Sequence, residues 1–219
     1  MIANVKPSIT ASLIQDFQEA LLSLDKIKAD ALFQRALSSH SPIEVVEQFV
    51  VPALEQIGRY WNEGSIALSQ VYMSGRFCEE LVEQVLPPSD PERKHQPRQA
   101  IVVLNDYHML GKRIVYSVMR ASGFELFNYG RMDVDELVER VVADKLRVLL
   151  ISVLMMPSAL KIRDLRNALD ARGVQLKILV GGAPFQFDSQ LWQEVGADAM
   201  GLSAADAVAI VQHWAGEMT

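Results

Sequence analysis

The hydrophobic period of this chain changes once along its length, at the segment PPSDPERKHQPRQ spanning residues 87–99. Four of the nine prolines lie there among almost no apolar residues, so the segment reads as a linker between two separately folding parts. Ahead of it, ITASLIQDFQEALLSL, DKIKADALFQRALSS, SPIEVVEQFVVPALEQIGRYWNEG and ALSQVYMSGRFCEELVEQVL repeat apolar residues every three or four positions, with Ser, Thr or Asp near several starts. That pattern predicts four helices joined by short loops, most economically an antiparallel bundle. Behind it, the runs AIVVLN, FELFNYG, RVLLISVL, LKILVGG and ADAMGLS have the apolar character of buried strands, and each is followed by a helix-like stretch. Five such βα units imply a parallel sheet with helices on both faces. The expected fold is an α/β, flavodoxin-like (Rossmann-like) five-stranded parallel-sheet domain at residues 100–219, preceded by an all-α four-helix-bundle cap at residues 1–86.

Composition excludes several functions. The formal charge of −6, with acidic and basic residues interspersed, lacks the concentrated basic face that phosphate contacts need, so no nucleic-acid partner is expected. The longest apolar run, around VLLISVLMM, is about half a membrane span, and MIANVKPSIT has no basic segment followed by an apolar one. A soluble, cytoplasmic protein without a membrane partner is the expectation. The single cysteine, Cys78, cannot form an internal disulfide and sits at helical spacing, as a buried thiol would. His40, His95, His108 and His213 have no zinc-ligand spacing.

In an open α/β sheet, ligands bind where strand carboxyl ends and helix amino termini converge. Three of the five predicted strand ends carry unusual residues: DYHMLGKR after the first, SVLMMPS after the third and VGGAPF after the fourth. No G-x-G-x-x-G and no G-x-x-x-x-G-K-[ST] is present, so the usual glycine cradles of dinucleotides and triphosphates are absent. Singly, each motif has a plain structural explanation. His108 could cap a helix or lie on the surface, Gly181 and Gly182 could serve a tight turn, and Ser152 could satisfy backbone groups at a strand end. Their combination on successive strand ends is harder to obtain by chance.

Taken together, Asp106-x-His108-x-x-Gly111, Ser152-x-Leu154 and Gly181-Gly182 resemble the signature of cobalamin-binding domains that hold their cofactor base-off and His-on. With the four-helix segment ahead of it, the chain is similar to the cap and cobalamin-binding module of methionine synthase and to the corrinoid proteins of methyltransferase systems. The resemblance implies that His108 is the lower axial ligand of the cobalt, replacing the cofactor's own dimethylbenzimidazole. Asp106 would receive the second ring N–H, as carboxylates beside metal-bound imidazoles do. Ser158, six residues beyond Ser152, would complete a proton-linked catalytic triad with His108 and Asp106. Gly111 would let the helix begin close to the corrin, Ser152 and Leu154 would line the slot for the benzimidazole tail, and Gly181-Gly182 would let the backbone approach that tail. Ser203, in GADAMGLS, resembles the segment that closes over it.

The resemblance extends to the cap, where bulky residues cover the upper corrin face. Trp61 and Tyr72 are the candidates here, with Tyr60, Leu68 and Met73 as neighbours that helix packing alone could explain. The chain departs from its relatives in this segment. ALSQVYM stands where many methyl carriers have a Phe-Leu-Pro-Glu-like stretch, and Val71 and Tyr72 stand where cobalamin photoreceptors have a Glu-His pair. The implied function is a non-catalytic carrier that moves a methyl group between partner methyltransferases, its cobalamin alternating between methylcobalamin and cob(I)alamin. One partner would demethylate a methylated substrate, another would pass the group to an acceptor such as tetrahydrofolate, and a reductive activase would rescue oxidised cobalt. The alternative is a cobalamin-dependent sensor or antirepressor acting on a transcription factor.

Overall fold

The structure is a computed structural model that describes residues 9–86 and 96–218. Most of the expected linker, with His95, lies outside the described residues. The chain divides into two compact units, one holding the N-terminal helices together with Ser117–Phe124 and the other holding the rest. Among the described residues no helix is long and apolar enough to cross a membrane.

The helical unit begins with α1 (Ala11–Leu22) and α2 (Lys26–Leu37), whose first turns are capped by Thr10 and Asp25. The third expected helix is not one continuous α-helix. It consists of α3 (Pro42–Val45), a π-helical turn (Val46–Val50) and α4 (Val51–Asn62). Ser41 and Glu44 form a capping box at its start. Pro52 has no N–H to give to the helix, and in the wider turn ahead of it the Val51 N–H reaches back to the Val46 carbonyl. α5 (Leu68–Val85) follows. The core of the unit contains Phe17, Phe33 and Phe49, fully buried, with Phe17 and Phe49 stacked at 4.5 Å between ring centroids. Ser117–Phe124 joins this unit through Arg120, whose guanidinium meets Glu83 at 2.9 Å, and Val118, which packs against Gly75.

The remaining chain alternates β1 (Gln99–Leu104), α6 (Met109–Ala121), β2 (Phe127–Met132), α7 (Val134–Asp144), β3 (Val148–Ser152), α8 (Met156–Ala171), β4 (Lys177–Gly181), α9 (Ala183–Phe187), α10 (Leu191–Glu194), β5 (Ala199–Gly201) and α11 (Ala204–Glu217), all of it in the second unit except the end of α6 from Ser117 onward. All strands are parallel in the order β2-β1-β3-β4-β5, the doubly wound arrangement expected from the βα alternation. Gln99, assigned to the linker from sequence, opens β1 because its backbone pairs with Val148. Ala100, Val102, Leu104, Leu149, Ile151, Ile178 and Val180 share one core with Leu137 and Val141 of α7 and Ile162 and Leu165 of α8. The chain turns to opposite sides of the sheet after β1, so the loops leaving β1 and β3 part at their carboxyl ends and open a crevice there.

Candidate functional site

The crevice is organised around one buried carboxylate. Asp106 follows β1 directly and is 3% exposed, yet its two oxygens accept five hydrogen bonds. Oδ1 receives the backbone N–H of Tyr107 at 2.7 Å and of His108 at 3.2 Å, and the Nδ1 of His108 lies 2.6 Å away. Oδ2 receives the backbone N–H groups of Leu154 and Met155 at 2.7 and 3.0 Å. Burial alone would raise the Asp106 carboxyl, but the bonds from the His108 ring and from the Leu154, Met155 and His108 backbone outweigh it and hold the group well below the usual carboxylate range. An ionised Asp106 can only accept, so His108 Nδ1 carries a proton, and in the neutral ring that leaves the lone pair on Nε2. The ring side chain is 53% exposed, which leaves Nε2 available to a ligand.

Ser158 is buried in the first turn of α8, but it does not reach Asp106. Its hydroxyl donates to the Asn105 carbonyl at 2.7 Å. The relay expected through His108, Asp106 and Ser158 therefore stops at Asp106, whose Oδ2 accepts two backbone N–H groups of the β3–α8 loop and whose Oδ1 is bonded by Tyr107 and His108. Ser158 instead clamps the end of β1, where Asn105 takes a left-handed conformation (φ 47°) and its N–H donates to the Met132 carbonyl.

The small residues line up across the sheet. Ser152 on β3 pairs with Val103 and Gly181, and Gly181 pairs with Gly201 on β5, so a row of small residues crosses three adjacent strand ends. Gly111 lies in the first turn of α6 facing this row, where a Cβ would come 3.2 Å from Ser152 Oγ. Gly181 has a tighter limit, since a Cβ would sit 3.1 Å from the Gly201 carbonyl oxygen. Gly182 has a different cause from the one expected. At φ 123° a Cβ would penetrate the Val153 carbonyl group, lying 2.9 Å from its carbon, so the fold itself demands glycine there whether or not a ligand approaches. Ser203 is the N-cap of α11, its Oγ accepting the Asp206 N–H at 3.2 Å while Asp206 accepts the Ser203 N–H in return. Its hydroxyl proton is still free to be donated.

Leu154 is exposed, and Met155, Met156, Tyr107, Leu110 and Leu202 are exposed with it on the loops and helix starts at this same sheet edge. Large apolar side chains left in water around a polar centre mark a surface made to be covered. Tyr107, Met155, Met156 and Gly201 are members of this surface that the sequence did not single out. The signal for Tyr107 was its place inside D-x-H; Gly201 could be found only from the strand pairing. Trp61, in the last turn of α4, and Tyr72, in α5, are half-buried and belong to the helical unit. Among the described residues no group of three or more His, Cys, Asp or Glu could hold a metal ion. A lone exposed imidazole with a fixed tautomer suits a metal that arrives with most of its ligands already in place.

Comparison with known proteins agrees with this chemistry. Residues 99–211 and residues 13–86 match two families, each described as a B12 binding domain. The chain is 30% identical over 210 residues to a trimethylamine corrinoid protein of Methanosarcina barkeri, covering 91% of this chain and 95% of that protein. It is 27% identical over 204 residues to dimethylamine corrinoid protein 2 of Methanosarcina acetivorans, covering 90% and 93%. The fold is similar to that of a cobalamin-binding protein from Desulfitobacterium hafniense, with a TM-score of 0.76, 24% identity and coverage of 94% and 99%. It also resembles a chain of the methanol:cobalamin methyltransferase complex of Methanosarcina barkeri, with a TM-score of 0.66, 23% identity and coverage of 95% and 81%.

Proposed function

The chain belongs to the family of B12-binding corrinoid proteins, and from that premise we propose that it is a methyl carrier, holding cobalamin base-off with His108 on the cobalt and passing a methyl group between partner methyltransferases. When bound, the cofactor would supply a cobalt atom that takes up and gives away a methyl group in the cob(I)alamin and methylcobalamin forms. The residues present fit such a group. The observation that carries the reading is the 2.6 Å contact between His108 Nδ1 and Asp106 Oδ1, which turns Nε2 outward as a basic, oriented donor.

Asp106 orients the ring and ties it to the β3–α8 loop, so the axial donor and the wall formed by Leu154 and Met155 are set together. Ser152, Gly181 and Gly201 leave room for the nucleotide tail along the strand ends, and Leu154 and Ser203 flank it. Trp61 and Tyr72 are the proposed upper-face residues. The relatives named for trimethylamine and dimethylamine favour the carrier over the regulatory reading, and a methylated amine is the proposed source of the methyl group. A methyltransferase acting on it, an acceptor methyltransferase and a reductive activase are the proposed partners, in the cytoplasm. The carrier itself needs no substrate pocket.

Electron paramagnetic resonance of the cob(II)alamin-loaded protein tests the ligand. Protein labelled with nitrogen-15 histidine is expected to show cobalt coupling to a protein nitrogen, and His108→Ala to lose it while retaining corrinoid, because the tail contributes much of the buried contact. Coupling only to the cofactor's own nitrogen would overturn the assignment. A second measurement separates ligand space from fold. Gly111→Ala is expected to change apo stability by less than about 0.5 kcal/mol, since the added methyl meets only a rotatable hydroxyl and alanine favours the helix. Corrinoid affinity, read by spectral titration, should nonetheless fall about tenfold, a difference of about 1.4 kcal/mol. Unchanged affinity would mean that the start of α6 does not approach the cofactor.

A further inference from the structure

Tyr107 stands between the buried carboxylate and the proposed cobalt ligand, and it is 77% exposed. Exposure of this kind usually leaves an aromatic side chain free to turn, but Tyr107 is held at both ends. Its N–H is bound to Asp106 Oδ1, and its ring lies over the Arg131 guanidinium, 4.2 Å from ring centroid to Cζ. Arg131 is itself exposed, and among the described residues it makes no ion pair or side-chain hydrogen bond, so its N–H donors are unspent.

The sheet is built to bring this arginine there. β1 and β2 pair Ile101 with Asn128 and then Val103 with Arg131, so Tyr129 and Gly130 together face the single residue Val102. Gly130 supplies the positive φ, 69°, of this β-bulge, and nothing lies within 4 Å of where its Cβ would be, so conformation and not space requires the glycine. The extra residue reverses the alternation of the strand. Tyr129 and Met132 pack on the core shared with α7 and α8, whereas Arg131, which an unbroken strand would point toward that core with Tyr129, leaves on the other face. The bulge is fixed in turn by Asn128 Oδ1, which accepts the Gly130 N–H and the ammonium of the buried Lys112, one residue past Gly111. A bulge, a buried lysine and an edge strand are thus spent on holding one exposed Tyr–Arg stack beside His108.

We propose that the Tyr107–Arg131 stack is a contact for the rim of the corrin ring, the tyrosine face lying against the edge of the macrocycle and the guanidinium donating to the carbonyl oxygens of its peripheral amide side chains. This deepens the corrinoid reading above and rests on it. The stack adjoins β2, whereas the row of small residues assigned to the nucleotide tail runs along β3, β4 and β5, so the two contacts are separable by ligand chemistry.

The experiment titrates the full-length apoprotein with aquocobalamin and with cobinamide, which keeps the corrin amides but lacks the nucleotide tail. Tyr107→Ala and Arg131→Ala are each expected to weaken binding of both corrinoids by the same factor, about tenfold. The double variant should be little worse than either single one, because the two side chains act as a unit. Tyr107→Phe, which keeps the ring, should restore most of the affinity lost in Tyr107→Ala. Apo melting temperature and circular dichroism report whether each variant is folded, and cob(II) resonance reports whether His108 still ligates. Equal affinity of wild type and variants for cobinamide would overturn the proposal, as would intact affinity with impaired methyl transfer, which would assign the stack to partner docking. A wild-type protein that binds neither corrinoid would overturn the underlying corrinoid reading instead.

Discussion

Replacing Asp106 by alanine is expected to lower the stability of the cofactor unit by about 3–5 kcal/mol, with a fall in melting temperature of roughly 10 °C even without corrinoid. The reason lies in the donors it would leave behind. The backbone N–H groups of Tyr107, His108, Leu154 and Met155 all end on this one side chain, and a buried donor without an acceptor costs more than the bond it lost. Asp106→Asn should fall between, because the amide NH2 faces donors where the carboxylate accepts. The sign of the pH dependence follows from the depressed acidity of Asp106. A carboxyl whose folded pKa lies below its unfolded value stabilises the fold above the unfolded value, about 3.9, and loses that contribution as pH falls toward the folded one. The stability gap between wild type and Asp106→Ala, measured by denaturant unfolding, should be constant above about pH 5 and narrow below about pH 4. A gap that persists unchanged in acid, or is smaller than about 1 kcal/mol at neutral pH, would mean that Asp106 does not organise the loops.

Gly182→Ala is expected to be at least as damaging, costing more than about 3 kcal/mol, because the methyl group must enter the Val153 carbonyl from a backbone conformation that side chains rarely adopt. The defect should appear in the apoprotein as loss of soluble, cooperatively melting material. Gly181→Ala offers the contrast. Its methyl group would need only a few tenths of an ångström from the Gly201 carbonyl, so a cost of about 1 kcal/mol is expected, with a larger effect on corrinoid binding than on folding. If Gly182→Ala melted like wild type, the turn after β4 would have to be freer than its geometry states, and the glycine pair would regain a role that depends on the ligand alone.

That Ser117–Phe124 groups with the helical unit was not legible in the sequence, but the five parallel strands and the carboxyl edge that carries the candidate site were. Those properties follow from hydrophobic period, which each segment carries locally: every three or four residues before the linker, continuous apolar runs after it. The sequence also placed Asp106 and His108 at one strand end, two residues apart, where an extended turn points both side chains toward the same crevice; the 2.6 Å bond between them was implied only by the family resemblance. The π-turn ahead of Pro52 is a departure, since the apolar period of SPIEVVEQFVVPALEQIGRYWNEG predicts one continuous helix and does not state how the backbone absorbs the proline.

The rest depends on contacts between segments far apart in the chain. Ser158 meets Asn105, 53 residues away, and not Asp106, whose two oxygens are bonded by Tyr107, His108, Leu154 and Met155. Gly182 is demanded by the Val153 carbonyl of a neighbouring strand end, a constraint that a Gly-Gly pair cannot reveal in isolation. The reversal of Arg131 at Gly130 is the clearest instance. A bulge exists only relative to the strand it pairs with, so no property of FNYGRM alone states that its arginine will leave the core face and come to rest beneath Tyr107.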